Sequence, residues 1–271
     1  MKLARGVVAV LVLVLLVGCT PPHRVSVRSD GVMAFWGKEG VLIYDPGSEK
    51  ITRVKPVGDL AKMDLLWADW SPDGTKLLIG GGTGSMGGID KLEMQVGNAD
   101  GTDFKKLFSL EKEGTYFAQW RPDGKAVAFV AWREDAPSEL REVDVATGQM
   151  RVLMKGACIF HRYHPQGEGV AAVGGNKGLD DHEPFAAVLT WINSDGSADA
   201  GAAFMTGIHP WLDWSPDGES LLFCVPKTEM PFPLATGEDE IKKTLSRPGL
   251  YVISDEGDIK RLTRRSIGPS P

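Results

Sequence analysis

Cysteine is scarce, with three in 271 residues, so little of the fold can rest on disulfides. Charge of one sign is not in useful excess either. Thirty Lys and Arg against thirty-six Asp and Glu give a net charge of -6, which offers nucleic acid no electrostatic footprint. Long apolar runs are missing: the one continuous stretch, Val7 to Val17, is too short to span a membrane comfortably. Catalytic signatures are missing too. Gly82-Thr83-Gly84-Ser85-Met86-Gly87 has the glycine spacing of a dinucleotide-binding loop and follows a strand. No helix pattern comes after it, so it reads as a flexible loop between strands. Ser85 lacks the glycine that opens a nucleophile elbow. The remainder is an ordinary globular composition, 42% hydrophobic and 24% charged, with 33 glycines and 8 tryptophans.

What is present repeats. Trp70-Ser71-Pro72-Asp73-Gly74 recurs as Trp214-Ser215-Pro216-Asp217-Gly218 and, one residue changed, as Trp120-Arg121-Pro122-Asp123-Gly124. Worn copies are Tyr163-His164-Pro165-Gln166-Gly167 and Val27-Arg28-Ser29-Asp30-Gly31. Ser accepts from the backbone, Pro fixes φ, Asp suits the third turn position, and Gly takes the left-handed conformation that closes a hairpin. An apolar, β-rich stretch follows each copy, such as Leu77-Leu78-Ile79 or Leu221-Leu222-Phe223, so each turn joins two strands. The turn glycines are separated by 43, 50, 43 and 51 residues. A period of that size with several short strands predicts an all-β chain, a β-propeller of four-stranded antiparallel blades. Five blades are counted: 23–55, 60–110, 115–155, 158–206 and 208–263.

The Trp-Ser-Pro-Asp-Gly turn with its following strand resembles the TolB-like, WD-type propeller repeat. The later stretch Leu250-Tyr251-Val252-Ile253-Ser254-Asp255-Glu256-Gly257, then Ile259-Lys260-Arg261-Leu262-Thr263, is similar to that family's closing hairpin. The resemblance covers nearly everything after residue 23. It implies that a sixth blade is possible, since such rings usually close with six, and that a protein partner in the cell envelope is to be expected. It implies little about chemistry, because propellers host unrelated roles. Within these 271 residues no α/β domain like the one that precedes the propeller in TolB, and no hydrolase domain like that of peptidases with a similar propeller, is expected.

The amino end carries its own signal. Lys2 and Arg5 precede the apolar run, which ends in Leu16-Val17-Gly18-Cys19. This resembles the lipobox of bacterial lipoproteins, so residues 1–19 are expected to be a signal peptide ending at a lipidated Cys19. Acyl chains on Cys19 would hold the protein at a membrane. Thr20, rather than Asp, follows, which leans towards the periplasmic side of an outer membrane if the organism has one. One propeller domain would fill 20–265 and a disordered tail 266–271. Cys158 and Cys224 fall on strands of different blades that should not be neighbours, so two buried free thiols are expected.

In a four-stranded meander the first and third turns lie at one end and the second connection at the other. The second connections are long at 80–89, 132–138, 174–184 and 226–248, and within the last, 236–245 reads as a short capped helix. Loops on a rigid scaffold usually bind, so that end is the expected recognition face. The residue before each motif Trp or its substitute is polar: Ser26, Asp69, Gln119, Arg162 and Asp213. These either line a central channel, open to a small polar ligand or ion, or pair with neighbouring blades, the plainer reading. Trp70, Trp120 and Trp214 are expected in the core between blades. Asp180, Asp181, His182 and Glu183 are weak metal candidates, since adjacent ligands in one loop rarely close a site. His161 and His164 point to opposite faces of one strand and make no metal pair. No cofactor and no catalytic residue is assigned. The expected role is a lipid-anchored binding or scaffolding module. Two alternatives stay open. One is a hydrolase or lyase with an axial site, for which Asp69 and Asp213 near Arg162 are the best acids. The other is a carbohydrate sensor using Trp132 and Phe232.

Overall fold

Each motif turn closes in the way its residues require. Ser71 accepts from the Lys76 amide through its hydroxyl (2.9 Å), and the Gly74 amide donates to the Ser71 carbonyl (2.8 Å). Asp73 accepts from the Ser71 hydroxyl (2.6 Å) and the Thr75 amide (3.0 Å), which holds its carboxyl below the usual range. Gly74 has φ +69°, the left-handed conformation. The turn at Ser215 to Gly218 repeats these bonds, and Gly31, Gly124, Gly167 and Gly218 all have positive φ.

These turns build five four-stranded antiparallel meanders in a computed structural model that describes residues 25–37, 40–85, 88–133, 136–156, 158–175, 186–205, 212–225, 249–254 and 258–262. Blade one is β1 (Val25–Val27), β2 (Met33–Gly37), β3 (Gly40–Asp45) and β4 (Lys50–Val54). Blade two is β5 (Asp64–Trp70), β6 (Lys76–Ser85), β7 (Gly88–Asn98) and β8 (Lys105–Glu111). Blade three is β9 (Gly114–Trp120), β10 (Ala126–Arg133), β11 (Ala136–Asp144) and β12 (Met150–Lys155). Blade four is β13 (Cys158–Tyr163), β14 (Gly169–Gly175), β15 (Ala186–Asn193) and β16 (Ala198–Met205). Blade five is β17 (Leu212–Trp214), β18 (Ser220–Val225), β19 (Gly249–Ser254) and β20 (Ile259–Arg261). Among the described residues there is no α-helix, only a 3-10 turn at Gly58–Lys62. Cys19, the acidic run 180–183, the sequence 236–245, Phe232 and the tail lie outside the described residues.

The chain divides into two compact units, Met1–Gly114 with Asp144–Gln149, and Thr115–Val143 with Met150–Pro271. The second unit explains its own apolar runs. In β14, Val170 and Ala172 pack with Ala128, Val130 and Leu140 of blade three, while Ala171 and Val173 pack with Leu221, Phe223 and Tyr251 of blade five. Side chains alternate across a strand, so a strand sandwiched between two blades must be apolar at every position. In the first unit, blade one meets blade two through Trp36, whose indole donates to the Leu66 carbonyl (2.8 Å), and through Trp70, which donates to the Ser26 carbonyl (3.2 Å).

Four expectations change. Residues 80–89 are not a long loop: β6 runs through Ser85 and pairs with β7 almost to its end. Gly80 and Gly81 sit in this strand because Trp67 lies against the first, and the Asp64 backbone and Leu60 against the second. Their glycines mark close packing, not flexibility. Residues 132–138 likewise fall mostly within β10 and β11. The first strand of blade two begins at Asp64, since Leu60 belongs to the 3-10 turn, where it is buried. Cys158 and Cys224 are both free, but only Cys158 is buried and Cys224 is half-buried.

Candidate functional site

One repeat position differs in its bonding from blade to blade: the residue after the motif Trp or its substitute. Where it is Ser71 or Ser215, the hydroxyl closes its own turn. Where it is Arg28 or His164, it crosses to the following blade. Arg28 of blade one donates from Nη1 to the Gly74 carbonyl of blade two (3.1 Å) and holds its guanidinium over the Trp70 ring, 5.2 Å from the centroid. Its remaining donors bind Asp30 at 2.8 and 2.6 Å. A Cβ at Gly74 would come within 2.7 Å of Arg28 Cδ, so that glycine is needed for clearance as well as for φ.

His164 of blade four occupies the same position and makes the same crossing with less reach. Its Nδ1 accepts from the Gln166 amide (3.4 Å), which leaves Nε2 as the donor to the Gly218 carbonyl (3.1 Å). Its ring stands edge-on to Trp214 (4.9 Å) and Trp191 (5.7 Å), and those two indoles are edge-on to each other (5.4 Å). The Trp214 indole N–H has no hydrogen-bond partner among the described residues. A cleft of about 370 Å³ opens beside this triad, with Leu221 and Ile253 at its apolar wall and Glu168 at its rim. The Glu168 carboxylate is exposed and stands 4.0 Å from His164 Nδ1.

Arg121 of blade three is the third long residue at this position. It binds its own turn acid, Asp123, at 2.8 and 3.0 Å, and the Asp123 bond holds the guanidinium firmly protonated. Its third donor goes to Glu142 (3.2 Å). Glu142 is buried on β11 and also accepts from Arg151 (2.8 Å) and from the Tyr163 hydroxyl of blade four (2.6 Å). Burial and the Glu142 charge push the Tyr163 hydroxyl far above the usual tyrosine range, so it stays a donor. A second cleft, about 420 Å³, lies over this network between Arg151, Pro165 and Asn193. Both clefts lie within the second unit, at the ends of the sheets that carry the first and third turns.

The polar residues before the motif Trp are engaged at blade boundaries. The Ser26 hydroxyl donates to Asp69 (2.9 Å) across blades one and two. Gln119 accepts from the Tyr163 amide (3.1 Å) across blades three and four, and Arg162 stands 3.8 Å from the exposed Asp213 across blades four and five. Asp69 belongs to the first unit, and Arg162 and Asp213 to the second. Trp70 and Trp120 are buried, Trp214 is half-buried, and so is Trp132. His161 is fully buried, and neither ring nitrogen has a hydrogen-bond partner among the described residues. Burial first, then the neighbouring Arg162 charge, pushes its pKa down to about 3, against a smaller opposing influence of the Ala128 backbone. Nothing local in the sequence marked Glu142, Trp191 or the clefts. The one available signal was the change from Ser to Arg or His at the second position of the turn.

No family model and no curated protein sequence matches the chain. Solved structures do. The propeller domain of the trilobed protease from Pyrococcus furiosus, which has an open velcro topology, matches over 90% of this chain and 73% of that one, at 12% identity and TM-score 0.61. An oligogalacturonate lyase solved with manganese matches over 88% and 68%, at 18% identity and TM-score 0.57. TolB from Acinetobacter baumannii matches over 88% of this chain at 15% identity and TM-score 0.47. This chain spans 56% of that TolB chain. At these identities the likeness is one of fold. With five four-stranded antiparallel meanders of its own, the chain is a β-propeller protein.

Proposed function

We propose that this protein is a lipid-anchored propeller of the cell envelope that binds a protein partner, with Cys19 fixing its location. The observation that supports binding is the pair of clefts at the turn ends of blades three to five, walled by packed sheet and lined by Arg, Tyr, Trp and His side chains. Such residues dominate protein-recognition surfaces, because they combine large contact area with directed polar groups. The long second connections expected to carry recognition are partly strand, at 80–89 and 132–138. The reading therefore moves to the turn ends.

Site-directed photo-crosslinking in intact envelopes tests it. A crosslinker at exposed Gln166 or Ser194, beside the clefts, captures a discrete partner, and one at exposed Arg133, towards the other end of its sheet, does not. Capture only from Arg133 would overturn the assignment. The anchor is tested separately: Cys19→Ala releases the protein from the membrane fraction, and continued membrane residence would refute lipidation at that residue.

A further inference from the structure

The molecule contains a filled version of its own open cleft. Arg28 and His164 hold the same repeat position, as do Trp70 and Trp214, Gly74 and Gly218, and Leu77 and Leu221. At the boundary of blades one and two, a guanidinium lies over the motif Trp, bonded to a turn carbonyl and to the turn acid Asp30. At the boundary of blades four and five, the shorter imidazole reaches the same carbonyl and stands edge-on to the same Trp. The position of Asp30 is taken by Gln166, whose amide donates to the Asp217 carbonyl (2.8 Å). The acid reappears two residues on as Glu168, exposed at the rim of the cleft. A second indole, Trp191, stands where Ile43 does in blade one: Ala171 and Ala34 face the equivalent Arg162 and Ser26, and they pair on their other side with Trp191 and Ile43.

We infer that this cleft receives an arginine side chain presented by the partner polypeptide, in the place that Arg28 fills within blade one. The inference rests on the protein-binding reading above and names the chemistry of its contact. Two electron-rich indoles and an imidazole favour a flat, weakly hydrated cation, which stacks on an aromatic face more readily than an ammonium does. Glu168 supplies the opposite charge that Asp30 supplies to Arg28. The apolar wall of Leu221 and Ile253 suits the methylene stem.

The test uses the full-length protein in detergent, with the indole N–H signals of Trp191 and Trp214 followed by NMR and assigned through Trp191→Leu and Trp214→Phe. The probes are N-acetyl-arginine amide, N-acetyl-lysine amide and N-acetyl-citrulline amide. The arginine probe shifts both signals saturably and leaves those of Trp36 and Trp70 in place. The citrulline probe, which has the same shape without the charge, does not. Glu168→Gln, a change at an exposed side chain, weakens the arginine response by roughly threefold, the scale of an exposed ion pair. His164→Arg supplies the missing side chain from within and abolishes the response, while the Trp36 and Trp70 signals report that the fold is intact. Equal shifts with citrulline or lysine, no shift at Trp191 and Trp214, or an undiminished response in His164→Arg would each overturn the inference. If crosslinking from Gln166 still captures a partner in that case, protein binding stands and the arginine contact falls. If no partner is captured from any position, the broader reading falls with it.

Discussion

Acid should weaken this protein through His161 before it touches the carboxylates. The ring is fully buried between blades three and four, without a hydrogen-bond partner among the described residues, and its folded pKa is pushed down to about 3. In the unfolded chain the same imidazole titrates near about 6.5. Between those values the unfolded state holds a proton that the folded state refuses. The stability tied to His161 is therefore fully present above pH ~6.5 and is lost as pH falls towards ~3. At pH ~4.5, two units below the unfolded pKa, the loss is on the order of 2–3 kcal/mol relative to pH ~7.5. The carboxylates with lowered pKa, such as Asp73 and Asp217, also lose their stabilisation on acidification, but only at lower pH, from an unfolded value of about 3.9 down through their own folded values. The assay is urea unfolding at several pH values from ~7.5 to ~4.5 for the wild type and for His161→Leu, which keeps a similar volume and removes the titration. The wild type loses the predicted increment and the variant does not, so their difference in stability shrinks or reverses as the pH falls. Parallel curves would show that His161 titrates alike in both states, and the account of its burial would be wrong.

Three other outcomes are expected. Gly80→Ala puts a Cβ into the Trp67 ring, which overpacks a strand with no room to give, and lowers stability by about 2–3 kcal/mol in the same urea assay. Tyr163→Phe leaves Glu142 Oε2 without its hydroxyl donor in a buried site and costs about 1–3 kcal/mol; a neutral result would mean that water replaces the phenol. Cys158, buried and with its thiol pushed up to about 12, reacts with a thiol reagent only on unfolding, whereas half-buried Cys224 reacts slowly in the native protein. Labelling followed by peptide mapping separates the two.

The blades were legible because their turns are written in residues that have few other uses. Pro, Asp and a left-handed Gly in fixed order specify a hairpin locally, and the same order three times, with two worn copies at a like spacing, specifies a repeat. The Gly80 to Gly84 strand was misread for the complementary reason. Glycine in a sequence signals conformational freedom, yet here its missing side chain makes room for Trp67, a neighbour thirteen positions back. The 3-10 turn carrying Leu60 was missed because what holds the nearby chain is not local: buried Gln95 of β7 donates to the Val57 carbonyl (2.6 Å) and accepts from its amide (3.1 Å). The Glu142 network was illegible in the same way, since Arg121 comes from a turn, Arg151 and Tyr163 come from two different strands, and they share no spacing. The polar residues before the motif Trp were legible as a set, and their partners at the blade boundaries followed only from three-dimensional register.

The reach of Arg28 and His164 gives the molecule a direction. In both, the donor lies in an earlier-made blade and the acceptor carbonyl in a later one. A ribosome releases the donor first. The emerging blade thus finds a waiting partner for its turn glycine, and damage to the donor is felt downstream, in a segment whose own sequence is intact. Turns that carry Ser in this place, by contrast, close on themselves. The two crossings, from blade one to blade two and from blade four to blade five, are then the steps of chain growth that depend on what has gone before.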